Sequence, residues 1–150
     1  MASSKQEIYR SLLPQIEALV QDEDDLVATM ANVSSVLHES FGFWWTGFYR
    51  VIEKELVLGP FQGPIACTRI PYGKGVCGTA WQRNETIIVG NVHLFEGHIA
   101  CSSASNSEIV VPVIRGDKVI AVLDIDSREY NTFDETDRHY LEQIAQLLAQ

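Results

Sequence analysis

Three cysteines, Cys67, Cys77 and Cys101, are the residues of this sequence best suited to chemistry. No two of them form a CxxC pair, so the sequence contains neither a zinc ribbon nor a thioredoxin-type motif. An odd count also argues against a secreted disulfide scaffold. We therefore expect free thiols in a reducing compartment, each of them either a small buried hydrophobic residue or a nucleophile.

The three thiols differ in their surroundings. Cys101 lies in the polar segment HIACSSASNSE, where access and nearby backbone N–H groups favour a reactive thiolate. Cys77 lies at the start of a short predicted helix, and because a helix N-terminus lowers a thiol pKa it is a second candidate nucleophile. Cys67 lies in the turn-rich stretch IACTRIPYGKG. These local features leave the nucleophile undecided.

Three acidic residues are predicted to meet at one end of a hairpin. Asp124 and Asp126 are two residues apart on a predicted strand, so they project from the same face. A hairpin turned at 116–117 places Glu108 opposite Ile125, between the two aspartates. Repulsion and partial burial would raise at least one carboxyl pKa and keep a protonated acid near neutral pH. The alternative is a solvated strand end with ordinary surface acids.

Aromatic residues are dense around Trp44, Trp45 and Tyr49. In a strand over 43–52, alternation places the two tryptophans on opposite faces. One of them would then line a pocket, the alternative being core packing on both faces.

Histidines offer a second type of site. His93, His98 and Cys101 are five and three residues apart, and such a set could bind a metal ion. A loop with three ligands and no fourth at a defined spacing is weak evidence, so we predict no metal site.

The pattern of elements predicts an α+β fold. Two helices come first, over 5–20 and from Asp24 or Asp25 to about Glu39, and Pro14 predicts a kink or a break in the first. Strands are then predicted over 43–52, 55–61, 65–70, 86–89, 108–114 and 118–125, with a short helix over 76–83 and a last helix capped by Asp134 with Asp137 in a capping box. This order predicts a central antiparallel sheet with helices packed on it.

Length and charge exclude several classes of function for this chain. The chain has 150 residues, enough for one domain over 1–150, and a net charge of −9, which argues against nucleic acid and anionic membranes as partners. No apolar run approaches the roughly 18 residues that span a bilayer. The N-terminus lacks the apolar core of a secretory signal, so we expect a cytoplasmic protein.

Taken together, several motifs resemble those of the free methionine-R-sulfoxide reductases, a branch of the GAF domain superfamily. The matching stretches are WWTGFY, LGPFQG, ACTRIPYGKGVCGTAW, HIACSSASNSEIVVP, LDIDS and FDETDRHYLEQI. The resemblance spans nearly the whole chain, and its three-cysteine spacing is specific because generic GAF domains lack it. It implies a single GAF domain with a GAF-like central antiparallel β-sheet.

The resemblance also implies a redox mechanism without a cofactor. Cys101 would attack the sulfoxide sulfur of free methionine sulfoxide and become a sulfenic acid. Cys67 would then form a Cys67–Cys101 disulfide, which thioredoxin would reduce. Cys77 could be an alternative partner, or the nucleophile with Cys101 resolving.

Substrate binding is implied by position as well. Glu108, Asp124 and Asp126 would divide two tasks, general acid and anchor for the ammonium group. Trp45 would line a slot for the methyl group, with Tyr49 nearby. A homodimer through the N-terminal helices could form, since GAF domains often pair that way. The alternatives are a GAF module that binds a small ligand and a redox sensor that uses the disulfide as a switch.

Overall fold

The computed structural model describes residues 4–99 and 104–150. In chain order the elements are α1 (Lys5–Val20), α2 (Leu26–Phe41), β1 (Trp45–Ile52), β2 (Glu55–Gln62), β3 (Arg69–Pro71), α3 (Gly75–Arg83), β4 (Ile87–Val89), a 3₁₀ turn (Val92–Leu94), β5 (Ser107–Arg115), β6 (Lys118–Ser127) and α4 (Glu135–Leu148). The strands form one antiparallel sheet in the order β3-β2-β1-β6-β5-β4. This confirms the predicted α+β architecture.

Helices cover both faces of this sheet, but unequally. α1, α2 and α4 pack on one face, over a buried cluster that includes Phe48, Ile109 and Leu123. On the other face, α3 packs over Val110 and Val122. Because both faces of the sheet are covered, β5 and β6 carry apolar residues on both of their faces. The second face has one short helix and loops as its cover, which leaves room for a ligand near the strand ends.

Local capping fixes the helix ends. The Asp25 side chain accepts a hydrogen bond from the Ala28 N–H, and Asp134 and Asp137 form the predicted capping box of α4. α1 runs from Lys5 to Val20 through Pro14, so the predicted break is absent. None of the helices in the described part of the chain is long and apolar enough to cross a membrane.

β1 begins two residues later than predicted. Gly42 adopts a left-handed conformation (φ 69°) that ends α2, and the regular strand starts at Trp45. Trp44 precedes the strand, so strand alternation does not apply to it. Both tryptophans pack on the α3 side of the sheet, and the predicted placement on opposite faces is wrong.

A β-bulge sets the register of the β5–β6 hairpin. Ile120 is an extra residue on β6, and beyond it the pairing shifts by one, so Glu108 lies opposite Asp126 and not opposite Ile125. Residues directly opposite each other in an antiparallel pair project to the same face. The bulge therefore brings Glu108 onto the face of Asp124 and Asp126, where the register predicted from the turn would have placed it on the other face.

Candidate active site

Three carboxyl groups meet on the α3 side of the sheet, at the end of the β5–β6 hairpin. Glu108 and Asp124 are buried and Asp126 is half-buried. Glu108 is hydrogen-bonded to both aspartates, and the Ser105 hydroxyl donates to Asp126 Oδ1 at 3.3 Å. Because two ionised carboxylates cannot hydrogen-bond to each other, this cluster requires at least one bound proton.

Burial is the main cause of the altered acidity in this cluster. It raises the pKa of Asp124, and it raises the pKa values of Glu108 and Asp126 well above the usual range, with the charge of Asp124 adding to both. The cluster therefore keeps a bound proton to a higher pH than ordinary carboxyl groups do. The sequence predicts the cluster and its direction of shift, although burial contributes more than the repulsion between charges.

Cys77 lies in the first turn of α3, directly over the acids. Its Sγ and single carboxylate oxygens of Glu108 and Asp124 all lie within 4.8 Å of one another. Burial raises the pKa of the Cys77 thiol well above its usual value, as do the charge of Asp124 and a hydrogen bond to it. The predicted lowering by the helix N-terminus is outweighed, so Cys77 is a protonated thiol and a poor nucleophile.

The same three groups have the spacing of a metal site. A metal ion bound by Cys77, Glu108 and Asp124 would have to displace the thiol proton and the proton shared by the carboxyl groups. The raised pKa values oppose that displacement at neutral pH. This arrangement suits proton donation better than metal binding.

An aromatic wall faces the acids from β1. Trp45 lies opposite Asp126 in the β1–β6 ladder, and its ring stacks with that of Tyr49 at a centroid distance of 5.9 Å. Gly47, between them, lies opposite Asp124, and a Cβ atom there would come within 2.7 Å of Trp45 Cη2. Glycine at this position thus lets the indole lie flat along the strand. Burial and the nearby acids raise the pKa of Tyr49, which keeps its hydroxyl a neutral donor.

A cavity opens between the aromatic wall and the acids. It measures about 40 Å³, and its walls include Trp45, Tyr49, Ile65, His98, Asp124 and Asp126, with Ser105 beside Asp126. Asp124 Oδ1 is buried and has no hydrogen-bond partner among the described residues. A buried acceptor of this kind is normally paired. Asp124 and Asp126 together give the cavity a carboxyl wall suited to a cationic or hydrogen-bond-donating ligand.

Cys67 lies beside this cavity in an irregular loop over 63–68, which replaces most of the strand predicted over 65–70. It is half-buried, and its carbonyl accepts a hydrogen bond from the Tyr49 hydroxyl at 2.9 Å. Cys101 lies outside the described residues. Its assignment as nucleophile and its pairing with Cys67 therefore stay predictions.

The two loop histidines have different environments. His93 contacts Asn106 Oδ1 through Nε2 at 2.9 Å, whereas His98 lines the cavity. Burial, with a smaller contribution from His93, lowers the pKa of His98, so its imidazole is neutral. A metal site that includes Cys101 stays untested because Cys101 lies outside the described residues. Sequence reasoning missed His98 and Ser105 as cavity residues, although Ser105 lies in the polar loop that directly precedes β5.

Comparison with known proteins agrees with this geometry. A GAF domain model matches residues 21–150. GAF domain-containing protein A of Dictyostelium discoideum is 58% identical over 146 residues, which cover 97% of this chain and 92% of that protein. The free methionine-R-sulfoxide reductase of Escherichia coli strain K12 is 49% identical over 146 residues, covering 96% and 88%. The X-ray structure of the Neisseria meningitidis free methionine-R-sulfoxide reductase, in complex with its substrate, matches with a TM-score of 0.96 and 54% identity, covering 99% of this chain and 90% of that one.

The matches extend over the sheet, the helices on both faces and the strand ends that carry the carboxyl cluster. Relatives at this level of identity and coverage share more than the general GAF fold. The motifs that resemble the reductases also lie at the site, with Trp45 in WWTGFY, Cys77 in ACTRIPYGKGVCGTAW and Asp124 in LDIDS. The chain therefore belongs to the free methionine-R-sulfoxide reductase family, within the GAF domain superfamily.

Proposed function

We propose that this chain reduces free methionine R-sulfoxide to methionine, the activity for which its E. coli and N. meningitidis relatives are named. The observation that carries the proposal is the pair of acids, Asp124 and Asp126, in the wall of a cavity with Trp45 and Tyr49, both aspartates being hydrogen-bonded to the buried Glu108. One site thus has both an acceptor for an ammonium group and an acid.

Substrate binding follows from the two walls of the cavity. The Asp124 carboxylate, in the cavity wall, accepts a hydrogen bond from the α-ammonium group, which supplies the positive charge that a buried carboxylate needs. The face of Trp45 receives the methyl group attached to the sulfoxide sulfur, with Tyr49 stacked beside it. A residue within a peptide has an uncharged amide in place of the ammonium group, so this site favours the free amino acid.

Reduction then needs a nucleophile and an acid. The Cys101 thiolate attacks the sulfoxide sulfur while Glu108 gives its proton to the sulfoxide oxygen. The oxygen is transferred to Cys101, which becomes a sulfenic acid, and methionine leaves with its sulfur reduced by two electrons. We assign the acid role to Glu108 because it is buried, hydrogen-bonded to both aspartates, and has a pKa raised well above the usual range.

Recycling uses the second cysteine. The Cys67 thiolate attacks the sulfenic sulfur of Cys101, the S–O bond breaks, and the oxygen leaves as water with two protons. The Cys67–Cys101 disulfide is reduced by thioredoxin, which becomes oxidised in turn. The hydrogen bond from Tyr49 to the Cys67 carbonyl supports this role, because it holds the Cys67 backbone at the rim of the substrate cavity.

The test is a coupled assay with NADPH, thioredoxin reductase and thioredoxin on the purified chain. Free methionine R-sulfoxide, the S epimer and a peptide-bound sulfoxide are compared, with dithiothreitol replacing thioredoxin in a parallel series. We expect turnover of the free R form alone. If none of the substrates is reduced by either reductant, the chain is better explained as a redox sensor or a ligand-binding GAF module.

Three further predictions accompany the proposed function. We propose that residues 1–150 form one GAF domain, that the protein acts in the cytoplasm, and that it forms homodimers through its N-terminal helices. α1 presents mostly polar residues on its outer side, so the dimer prediction depends on the resemblance and not on an apolar patch. Analytical ultracentrifugation of the purified chain tests the dimer.

A further inference from the structure

Asn106 is hydrogen-bonded through all four of its polar groups. Its backbone N–H donates to the Ser127 carbonyl at 2.8 Å, and its carbonyl accepts from the Val92 N–H at 3.0 Å. In the side chain, Nδ2 donates to the Arg128 carbonyl at 2.7 Å, and Oδ1 contacts His93 Nε2 at 2.9 Å. Because Oδ1 can only accept, His93 Nε2 carries the proton of this hydrogen bond. Asn106 therefore joins the segment that follows β4 to the end of β6.

The residue before Asn106 belongs to the candidate active site. Ser105 is buried and lines the cavity, and its hydroxyl donates to Asp126 Oδ1 at 3.3 Å. Hydrogen bonds between two oxygens are usually about 2.7 Å long, so this one is near its limit, and a small retreat of Ser105 would break it. The position of the Ser105 backbone, which the neighbouring Asn106 fixes, thus decides whether Asp126 has this donor.

The Ser105 hydroxyl affects where the carboxyl cluster holds its proton. Burial raises the pKa of Asp126, and the hydrogen bonds from Glu108 and Ser105 oppose that shift. Burial and the charge of Asp124 raise the pKa of Glu108, and the hydrogen bonds to both aspartates raise it further. A donor stabilises the ionised form of the carboxyl group that accepts from it. Ser105 thus favours an ionised Asp126 and a proton on Glu108.

We infer that Asn106 is a positioning residue that holds Ser105 against Asp126 and so keeps the shared proton on Glu108. The inference rests on the proposed function, in which Glu108 gives this proton to the sulfoxide oxygen. Asn106 is not among the described residues that line the cavity, so it acts through its neighbour. Without the Ser105 donor, the proton would be on Asp126 in a larger fraction of the molecules, and fewer of them would have the acid in place.

The other titratable groups that face Asp126 stay the same in every variant used to test this inference. They are Glu108 on β5, Asp124 on β6, Tyr49 on β1 and Cys77 on α3, and His98 lines the same cavity. The guanidinium of Arg128 lies over the Trp44 ring, 4.5 Å from its centroid. A change in the proton affinity of Asp126 in these variants therefore measures the loss of the Ser105 donor.

The test compares Asn106→Ala, Ser105→Ala and the double variant. Asn32→Ala is the matched control, because Asn32 is exposed on α2, on the opposite side of the sheet. The reduced chain is mixed with saturating free methionine R-sulfoxide, and quench-flow gives the rate of a single turnover across pH, so that no reductant limits it. We expect Asn106→Ala to slow this turnover about fivefold, the factor for one lost hydrogen bond. The loss of rate at high pH should move to a value about 0.5 pH higher, because the ionised cluster has lost a donor. Asn32→Ala should match the unaltered chain.

The double variant separates positioning from a general effect on stability. If Asn106 acts through Ser105, Ser105→Ala and the double variant should have the same pH dependence and rates within about twofold of each other. Full addition of the two losses in the double variant would show that Asn106 acts elsewhere, and would overturn the inference. An unchanged rate and pH dependence in either single variant would overturn it as well.

A titration without substrate tests the inference independently of sulfoxide reduction. The carboxyl carbon chemical shifts of Asp126 and Glu108 are followed by NMR in the isotope-labelled chain. In Asn106→Ala the Asp126 signal should titrate at a higher pH than in the unaltered chain, as it should in Ser105→Ala. An unchanged titration would overturn the role of Asn106. The expected titration in a chain that reduces no sulfoxide would instead overturn the proposed function and leave the placement of the proton supported.

Discussion

Glu108 and Asp126 lie directly opposite each other in the β5–β6 ladder, and their side chains are hydrogen-bonded. Asp124, two residues along β6, projects from the same face and bonds to Glu108 as well. The pairing depends on the bulge at Ile120. A proton is therefore held among three acids, two of which, Asp124 and Asp126, line a cavity whose other side is aromatic.

Glu108→Gln should remove the proton donor while keeping the shape of the side chain. We expect kcat for free methionine sulfoxide to fall about 100-fold or more, because a general acid contributes about 10² to 10⁴ in rate. Steady-state kinetics with dithiothreitol measure the effect. Glu129→Gln, the same change at an exposed residue, is the control and should leave kcat unchanged. Equal rates in both variants would show that another group supplies the proton.

Asp124→Asn should weaken substrate binding more than it slows the chemical step. The amide keeps the volume but loses the charge that we assign to the α-ammonium group, and losing one member of a buried charge pair costs about 2 kcal/mol or more, or about 30-fold. KM should rise by that factor with a smaller change in kcat. Asp117→Asn, in the exposed hairpin turn, is the control. A fall in kcat at constant KM would move Asp124 to the acid role.

The acid cluster was predictable in composition but not in register. Local rules identify the hairpin, because 116–117 supply its turn and apolar runs flank it, and they place two aspartates on one face. They do not identify the bulge, since Ile120 has the same apolar character as its neighbours. The predicted pairing of Glu108 with Ile125 is wrong for that reason.

The pKa of the Cys77 thiol depends on residues that are distant from it in the sequence. Its place in the first turn of α3 is readable from the sequence, and a helix N-terminus does favour a thiolate. The buried acids that oppose ionisation come from strands more than thirty residues away along the chain. Tertiary packing brings these together, so the direction of the thiol pKa could not be predicted from the neighbours of Cys77.

Stability should depend on pH through the same acids. Burial raises the pKa values of Glu108, Asp124 and Asp126 in the folded chain. In the unfolded chain the pKa values of the same carboxyl groups are about 4. The folded state then binds more protons, so the contribution to stability is complete below the unfolded pKa and is lost as pH rises through the folded values. The free energy of unfolding should therefore fall between about pH 5 and about pH 8.

Glu108→Gln isolates this effect, because glutamine does not titrate. Urea denaturation at both pH values should show a smaller fall for this variant than for the unaltered chain, and Glu129→Gln should resemble the unaltered chain. The same pH dependence in all three would mean that the cluster does not hold its proton in the folded state.

Cys101→Ser and Cys67→Ser should separate the two halves of the redox cycle. The first should abolish reduction, because no other thiol in our assignment attacks the sulfoxide. The second should release about one methionine per chain and then stop when thioredoxin is the reductant, since the sulfenic acid has no resolving thiol. Quench-flow measurement of methionine per chain counts the turnovers. Normal steady-state turnover in Cys101→Ser would show that the nucleophile is a different cysteine.

Cys77→Ser tests whether Cys77 is the nucleophile or a residue that supports the substrate-binding acid. The Cys77 thiol is buried, protonated and hydrogen-bonded to Asp124, so it is a poor nucleophile but a suitable donor to the substrate-binding acid. Serine keeps a donor at the same place, and we expect kcat within about tenfold of the unaltered value, whereas Cys77→Ala should raise KM by leaving Asp124 with one donor fewer. Both variants are assayed beside Cys101→Ser with dithiothreitol. A loss in Cys77→Ser as complete as that in Cys101→Ser would assign the attack on sulfur to Cys77.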